Sequence, residues 1–258
     1  MSAVLAVALA LAGCGVSKGG TSAGTAAAPT PAAAVRVLWM GDSIAGAQAP
    51  AVAAALKAAG ATVKDATSAG GGNVVAGDHE VTVMGAADTW KRLRQDITSF
   101  RPTVIAYQIT AYDWGTTRQQ LAAYRKLVRT AGDAKARLVL VSAPPFKIDD
   151  FFRPYEKAIR SAPAMAAKAA KAAKATDAAD AAKAHYLDAT ELWGDDPAAD
   201  RAQRAKDGIH SCQQGSAAFA AWFAKRLGAL TGFAPAAPAA WATGPWTADE
   251  RFGKLGCG

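Results

Sequence analysis

An α/β domain with a parallel sheet of about five strands is the fold class this sequence predicts. Short apolar runs with β-branched residues alternate with Ala-rich helical segments, the pattern of strands joined by helical crossovers. The first run, Ala34 to Met40, ends in Gly41-Asp42-Ser43, and a helical pattern is established by about Ala51. At 258 residues, 51% of them hydrophobic, the chain can bury one substantial core, so one domain with tails is the simplest division.

The strand before Ser43 puts that hydroxyl at the carboxyl end of a strand, where open α/β sheets bind ligands, among free backbone N–H groups. The same tripeptide also suits a plain helix cap by Asp42 or Ser43. Ala51 to Ala59 reads as helix, ended by Gly60, and Ala61 to Lys64 as a weak second strand. Ser68-Ala69-Gly70-Gly71-Gly72-Asn73 is glycine-rich but lacks the Gly-Lys-Ser/Thr of a phosphate loop. Residues 74–87, with His79 and Gly85, show no clear period and are expected as a loop over the crevice. Trp90 to Phe100 is an amphipathic helix stopped by Arg101-Pro102. Thr103 to Ile109 is a buried strand leading into Thr110-Ala111-Tyr112-Asp113-Trp114-Gly115. A helix over Thr117 to Ala131 sets Leu121, Tyr124, Leu127 and Val128 on one face and closes at Gly132. Leu138 to Ser142 is a buried strand, and the prolines after it require a loop. Residues 155–184 are dominated by Ala and Lys, which predicts a helix with a solvated basic face. His185 to Asp188 is a short fifth strand, and Ser216 to Leu230 the closing helix.

Far downstream, Asp207-Gly208-Ile209-His210 sets a carboxylate three residues before one of only three histidines. On a tight turn or one helical turn the two lie on the same side. Asp207 can then hold the imidazole tautomer while the other ring nitrogen faces a serine. The order Ser…Asp…His, with the last two close together, resembles the SGNH (GDSL-type) hydrolase superfamily, whose block I is Gly-Asp-Ser and block V Asp-x-x-His. The resemblance spans Val35 to Gly232 and implies a three-layer α/β/α, flavodoxin-like domain. It implies Ser43 as nucleophile, His210 as general base and then acid, and Asp207 as the orienting carboxylate. The oxyanion hole would come from the backbone N–H groups of Ser43 and a block II glycine. Gly71 is assigned to that role, a bare surface turn being the other reading. Block III, Gly-x-Asn-Asp, aligned through its aspartate on Asp113, puts Tyr112 where the family has asparagine. The Tyr112 hydroxyl can substitute as a donor, or Tyr112 and Trp114 simply wall the pocket; losing one donor costs about 10²–10³ in rate. No cofactor is implied, and no metal, since the histidines are dispersed without a ligand cluster.

The net charge is +8, yet Lys and Arg are scattered with no aromatic-interleaved cluster, which argues against nucleic acid. A basic surface suits an anionic cell wall or lipid headgroups. The apolar run Ala3 to Ala12 is short for a membrane span but suits the core of a signal peptide. Leu11-Ala12-Gly13-Cys14 resembles a bacterial lipobox, which would lipidate Cys14 and give residues 1–14 as signal and anchor. No Lys or Arg precedes the run, and a plain secretory signal or an apolar helix of the domain are the other readings. Residues 15–34 read as a flexible linker, and residues 35–232 as the catalytic domain. With Cys14 lipidated, Cys212 and Cys257 remain as an even pair that an oxidising compartment would join. Residues 233–258, with Trp241 and Trp246, read as a strap without regular elements, packed on the domain and tied by that bond. The expected protein is thus a monomeric, extracytoplasmic, membrane-anchored serine esterase acting on an acyl, most simply acetyl, ester. An O-acyltransferase acting on a cell-envelope glycan and a degenerate glycan-binding domain are the alternatives. The expected partners are a small ester or acylated cell-envelope glycan and, through Cys14, a membrane.

Overall fold

The computed structural model describes residues 35–174, 183–199 and 203–257, so Cys14 and the linker lie outside the described residues. Five strands, β1 (Arg36–Met40), β2 (Thr62–Asp65), β3 (Val104–Gln108), β4 (Arg137–Val141) and β5 (Ala184–Leu187), form one sheet in the order β2-β1-β3-β4-β5. Every pairing is parallel. Strand β1 lies between β2 and β3, so the strand order reverses there and a crevice opens at its carboxyl end.

Among the described residues seven helices accompany the sheet: α1 (Ser43–Ala58), α2 (Glu80–Phe100), α3 (Thr117–Asp133), α4 (Glu156–Lys174), α5 (Thr190–Trp193), α6 (Gln213–Thr231) and α7 (Glu250–Lys254). Alternation along the strands sends Val37, Trp39, Ala106 and Val139 into a core shared with α1 and α6. The intervening Leu38, Met40, Ile105 and Leu138 pack against α2, α3 and α4 on the opposite face. Both faces are covered, which is why the strands read as near-continuous apolar runs. On the α6 side, Phe223 meets Trp39 with ring centroids 5.1 Å apart, and Phe219 stacks on Trp193 at 5.7 Å. Helix α3 starts from a reciprocal capping box between Thr116 and Gln119.

Three expectations need correction. Helix α1 begins at Ser43, well before Ala51, because Asp42 caps it. Residues 74–87 are not all loop: α2 starts at Glu80, ten residues before Trp90. Its added turns invert the usual pattern, burying Thr82 and Ala86 while Val81, Val83 and Met84 are exposed, so no apolar period marks them. The tail is likewise not free of elements. It holds 3-10 turns at Pro238–Ala240 and Pro245–Ala248 and the short helix α7, capped by Asp249, all too short to carry a readable period. The tail does pack on the domain, burying Trp241 against the α1 and α6 core and Phe252 beside Ala205 and Cys257.

Cys212 and Cys257 are joined in a disulfide with Cα atoms 5.5 Å apart, closing a loop of 45 positions. Chain entropy for such a loop is worth about 4 kcal/mol. Replacing both cysteines by serine is expected to lower the unfolding free energy in urea by about that amount. A change below about 1 kcal/mol would mean that the tail is held by its packing alone.

Candidate active site

The turn from β1 into α1 is built so that Ser43 faces outward. Gly41 has no room for a side chain: a Cβ there would lie 2.5 Å from that of Ala45 and 3.2 Å from the carbonyl of Gln108. Asp42 is the N-cap, its Oδ1 accepting from the N–H of Ile44 at 2.9 Å. Ser43 is the first helical residue, so its own N–H has no partner within the helix. The two readings of the tripeptide therefore coexist, with Asp42 as the cap and Ser43 at the crevice.

His210 is presented by a small antiparallel loop. Arg204 bridges to Ser211, the N–H of Ala205 donates to the carbonyl of His210 at 2.8 Å, and that of Cys212 donates to Gln203 at 3.0 Å. Gly208 turns the chain at φ +71°. Asp207 accepts from the backbone N–H groups of Ile209 and His210 at 2.8 and 3.0 Å through Oδ1. Its Oδ2 lies 2.6 Å from His210 Nδ1, and His210 Nε2 lies 2.8 Å from Ser43 Oγ. Burial alone would raise the Asp207 carboxyl. The hydrogen bonds from the imidazole and the two backbone N–H groups outweigh it and hold the group below the usual carboxylate range.

Two buried carboxylates stitch the crevice loops together. Asp42 Oδ2 accepts from the N–H of Ala111 at 2.7 Å, tying the turn that carries Ser43 to the loop between β3 and α3. Asp113 accepts from the hydroxyls of Tyr107 and Tyr124 at 2.7 and 3.1 Å and from the N–H of Thr110 at 3.1 Å. It also takes the N–H groups of Val74 and Val75 at 3.1 and 3.2 Å, which brings in the loop between β2 and α2. Burial pushes both carboxyls up, Asp42 to about 6, against the pull of the N–H groups that bond them. Sequence reading used Asp113 only to align a motif; the tyrosines in β3 and α3 were the signal of a buried acceptor.

Gly71, with φ +91°, sits in the loop between β2 and α2, whose Thr67, Ser68 and Ala69 line the cleft beside Ser43. Its neighbour Gly72 packs directly on the Gly41–Ser43 turn, where a Cβ would come 2.3 Å from the carbonyl oxygen of Gly41. Tyr112 stacks on Trp114 and meets Phe152 edge-on, each with centroids 5.4 Å apart. Its hydroxyl makes no hydrogen bond among the described residues. Ile44, Ile209, Phe146 and Phe152 join these rings in one apolar cluster beside Ser43. Among the described residues, no group of three or more His, Cys, Asp or Glu is arranged to hold a metal ion. No helix among them is long and apolar enough to cross a membrane.

A parallel five-stranded α/β sheet thus brings a serine, a histidine and an aspartate into contact at its switch-point crevice. The chain belongs to the SGNH family: the profile described as "SGNH domain (fused to AT3 domains)" matches residues 13–225. A solved GDSL-like lipase from Bacteroides thetaiotaomicron is similar at 17% identity and a TM-score of 0.55, over 76% of this chain and 88% of that one. A catalytic mutant of an acetylxylan esterase from Geobacillus stearothermophilus is similar at 13% identity and a TM-score of 0.52, over 76% and 94% of the two chains. The periplasmic domain of a lipopolysaccharide acetyltransferase from Salmonella ser. Paratyphi A gives 13% and 0.51, over 74% and 83%. At these identities the likeness is one of fold. No curated protein matches the chain.

The titration of Asp42 is measurable in stability. Its folded value of about 6 lies above the ordinary 3.8, so the stability tied to its neutral form is fully present below about 3.8. That stability is lost as pH rises through about 6, a change worth about 3 kcal/mol. Asp42→Asn has no proton to lose. Urea titrations from pH 3 to pH 7.5 are expected to show wild-type stability falling relative to the variant by about that amount. A difference independent of pH would mean that Asp42 keeps an ordinary value.

Proposed function

We propose that this protein is an extracytoplasmic serine esterase that cleaves an acyl ester through an acyl-enzyme on Ser43. The observation that carries this reading is the continuous relay from Asp207 through His210 to Ser43, at 2.6 and 2.8 Å. His210 Nε2 takes the hydroxyl proton as Ser43 Oγ bonds to the acyl carbonyl carbon, and Asp207 fixes the tautomer and stabilises the imidazolium. The tetrahedral oxyanion is received by the N–H groups of Ser43 and Gly71. Burial raises the Tyr112 phenol, so its hydroxyl stays protonated and free to donate as a third partner. Collapse breaks the bond to the alcohol oxygen, which leaves with the proton held by His210. Water, deprotonated by the same nitrogen, then releases the acid and restores Ser43. The disulfide supports an oxidising compartment, and lipidation of Cys14 would hold the enzyme on the outer face of a membrane.

Acyl transfer uses the same residues and differs only in the fate of the acyl-enzyme. The half-buried Tyr112 favours it as a second reading, because an aromatic ring near the nucleophile suits a sugar acceptor, while Trp114 is buried beneath it between Tyr112 and Tyr155. Purified protein is given a small aryl acetate with and without a soluble glycan acceptor. Acetate release in both cases supports the esterase, and acetyl appearing on the glycan supports the transferase. No turnover would leave a glycan-binding domain. Ser43→Ala is expected to lower turnover by about 10⁴–10⁶. Activity within about tenfold of wild type would remove Ser43 from the chemistry.

A further inference from the structure

The family profile ends at residue 225, and the chain beyond it returns to the catalytic crevice. Helix α7 forms one wall of a cleft of about 490 Å³ whose other residues include Ser43, His210, Gly46, Thr67 and Ser68. That volume lies within the usual range for small-molecule sites. Three ties fix the wall. The disulfide joins Cys257 to Cys212, two residues after His210. Arg251 donates to the carbonyl of Gly46 at 2.9 Å and pairs with Asp65 at 2.8 Å, spanning α1 and the end of β2. Phe252, 1% exposed, plugs the space beside Ala205.

The chemistry of this wall differs from that across Ser43. On the side of Tyr112, Phe146 and Ile209 the surface is apolar. The cleft instead carries two carboxylates, Asp65 and Glu250, and two cations, Arg251 and Lys254. Asp65 and Arg251 are occupied with each other. Glu250 and Lys254 pair at 2.9 Å across one exposed helical turn, a contact worth little in water and readily exchanged for a ligand. Opposed charges in equal number offer no net field to an anion or a cation. They do offer donors and acceptors side by side, which matches a neutral group rich in hydroxyls.

We infer that the cleft between α7 and the loop after β2 is the subsite for the alcohol portion of the ester, an uncharged saccharide, with Glu250 and Lys254 as its specificity-determining residues. The inference rests on the Ser43 esterase reading and adds to it the substrate's leaving group. The test compares the full chain with Lys254→Ala and Glu250→Gln on p-nitrophenyl acetate and on an O-acetylated xylo-oligosaccharide. The ratio of kcat/KM for the sugar ester to that for the aryl ester is expected to fall about tenfold in each variant, through KM. An unchanged ratio in folded variants of matched Tm would overturn the inference. Calorimetry with the unacetylated xylo-oligosaccharide separates this from the chemistry. In a Ser43→Ala background, Lys254→Ala is expected to weaken binding about tenfold. Such a loss, together with a wild-type chain that hydrolyses neither ester, would uphold the subsite and end the esterase reading. Aryl ester hydrolysis without any oligosaccharide binding would do the reverse.

Discussion

The site depends on one buried carboxylate bridging two loops. Asp42 caps α1 with one oxygen and holds the N–H of Ala111 with the other, so the turn carrying Ser43 and the loop carrying Tyr112 keep one relative position. Burying that charge is unfavourable, and burial, with the nearby Asp113 carboxylate, raises its pKa because the N–H groups only partly offset the loss of water. Asp113 repeats the device one layer below, joining the loops after β2 and β3 through five donors. Removing a partner from such a network leaves a buried group unsatisfied, so the crevice behaves as a unit. A serine at a helix start is common geometry; what sets Ser43 apart is that its surroundings are locked.

The histidine is locked differently. Its loop is short and mostly polar, with Gly208 at the turn, and it relies on backbone pairing, the Asp207 turn and the nearby disulfide. The covalent tie therefore serves two surfaces at once, the loop that presents His210 and the helix that walls the cleft.

Much of this was legible in the sequence, for physical reasons. Strands such as Val104–Gln108 announce themselves because both their faces are buried, and Gly41-Asp42-Ser43 does so because only glycine fits beneath α1. Asp207 and His210 are three residues apart and need no tertiary information to meet. Less was legible where tertiary packing overrode pattern. Helix α2 buries threonine and alanine and exposes valine and methionine, so its first eight residues, 80–87, read as loop. Helix α7 has five residues, too few for a period, and only its long-range contacts bring it to the crevice. Asp42 read as a cap or a motif letter; its second bond, to a residue 69 positions away, has no local signature.

The central claim is that Ser43 is a nucleophile activated by His210. Incubation with an aryl phosphonate, followed by peptide mapping, tests it most directly because it requires no knowledge of the substrate. One phosphonyl group on Ser43 in the wild-type protein, and labelling slowed by orders of magnitude in folded His210→Ala, is the predicted result. No adduct on folded wild-type protein, or labelling of Ser43 at the same rate without the imidazole, would contradict it.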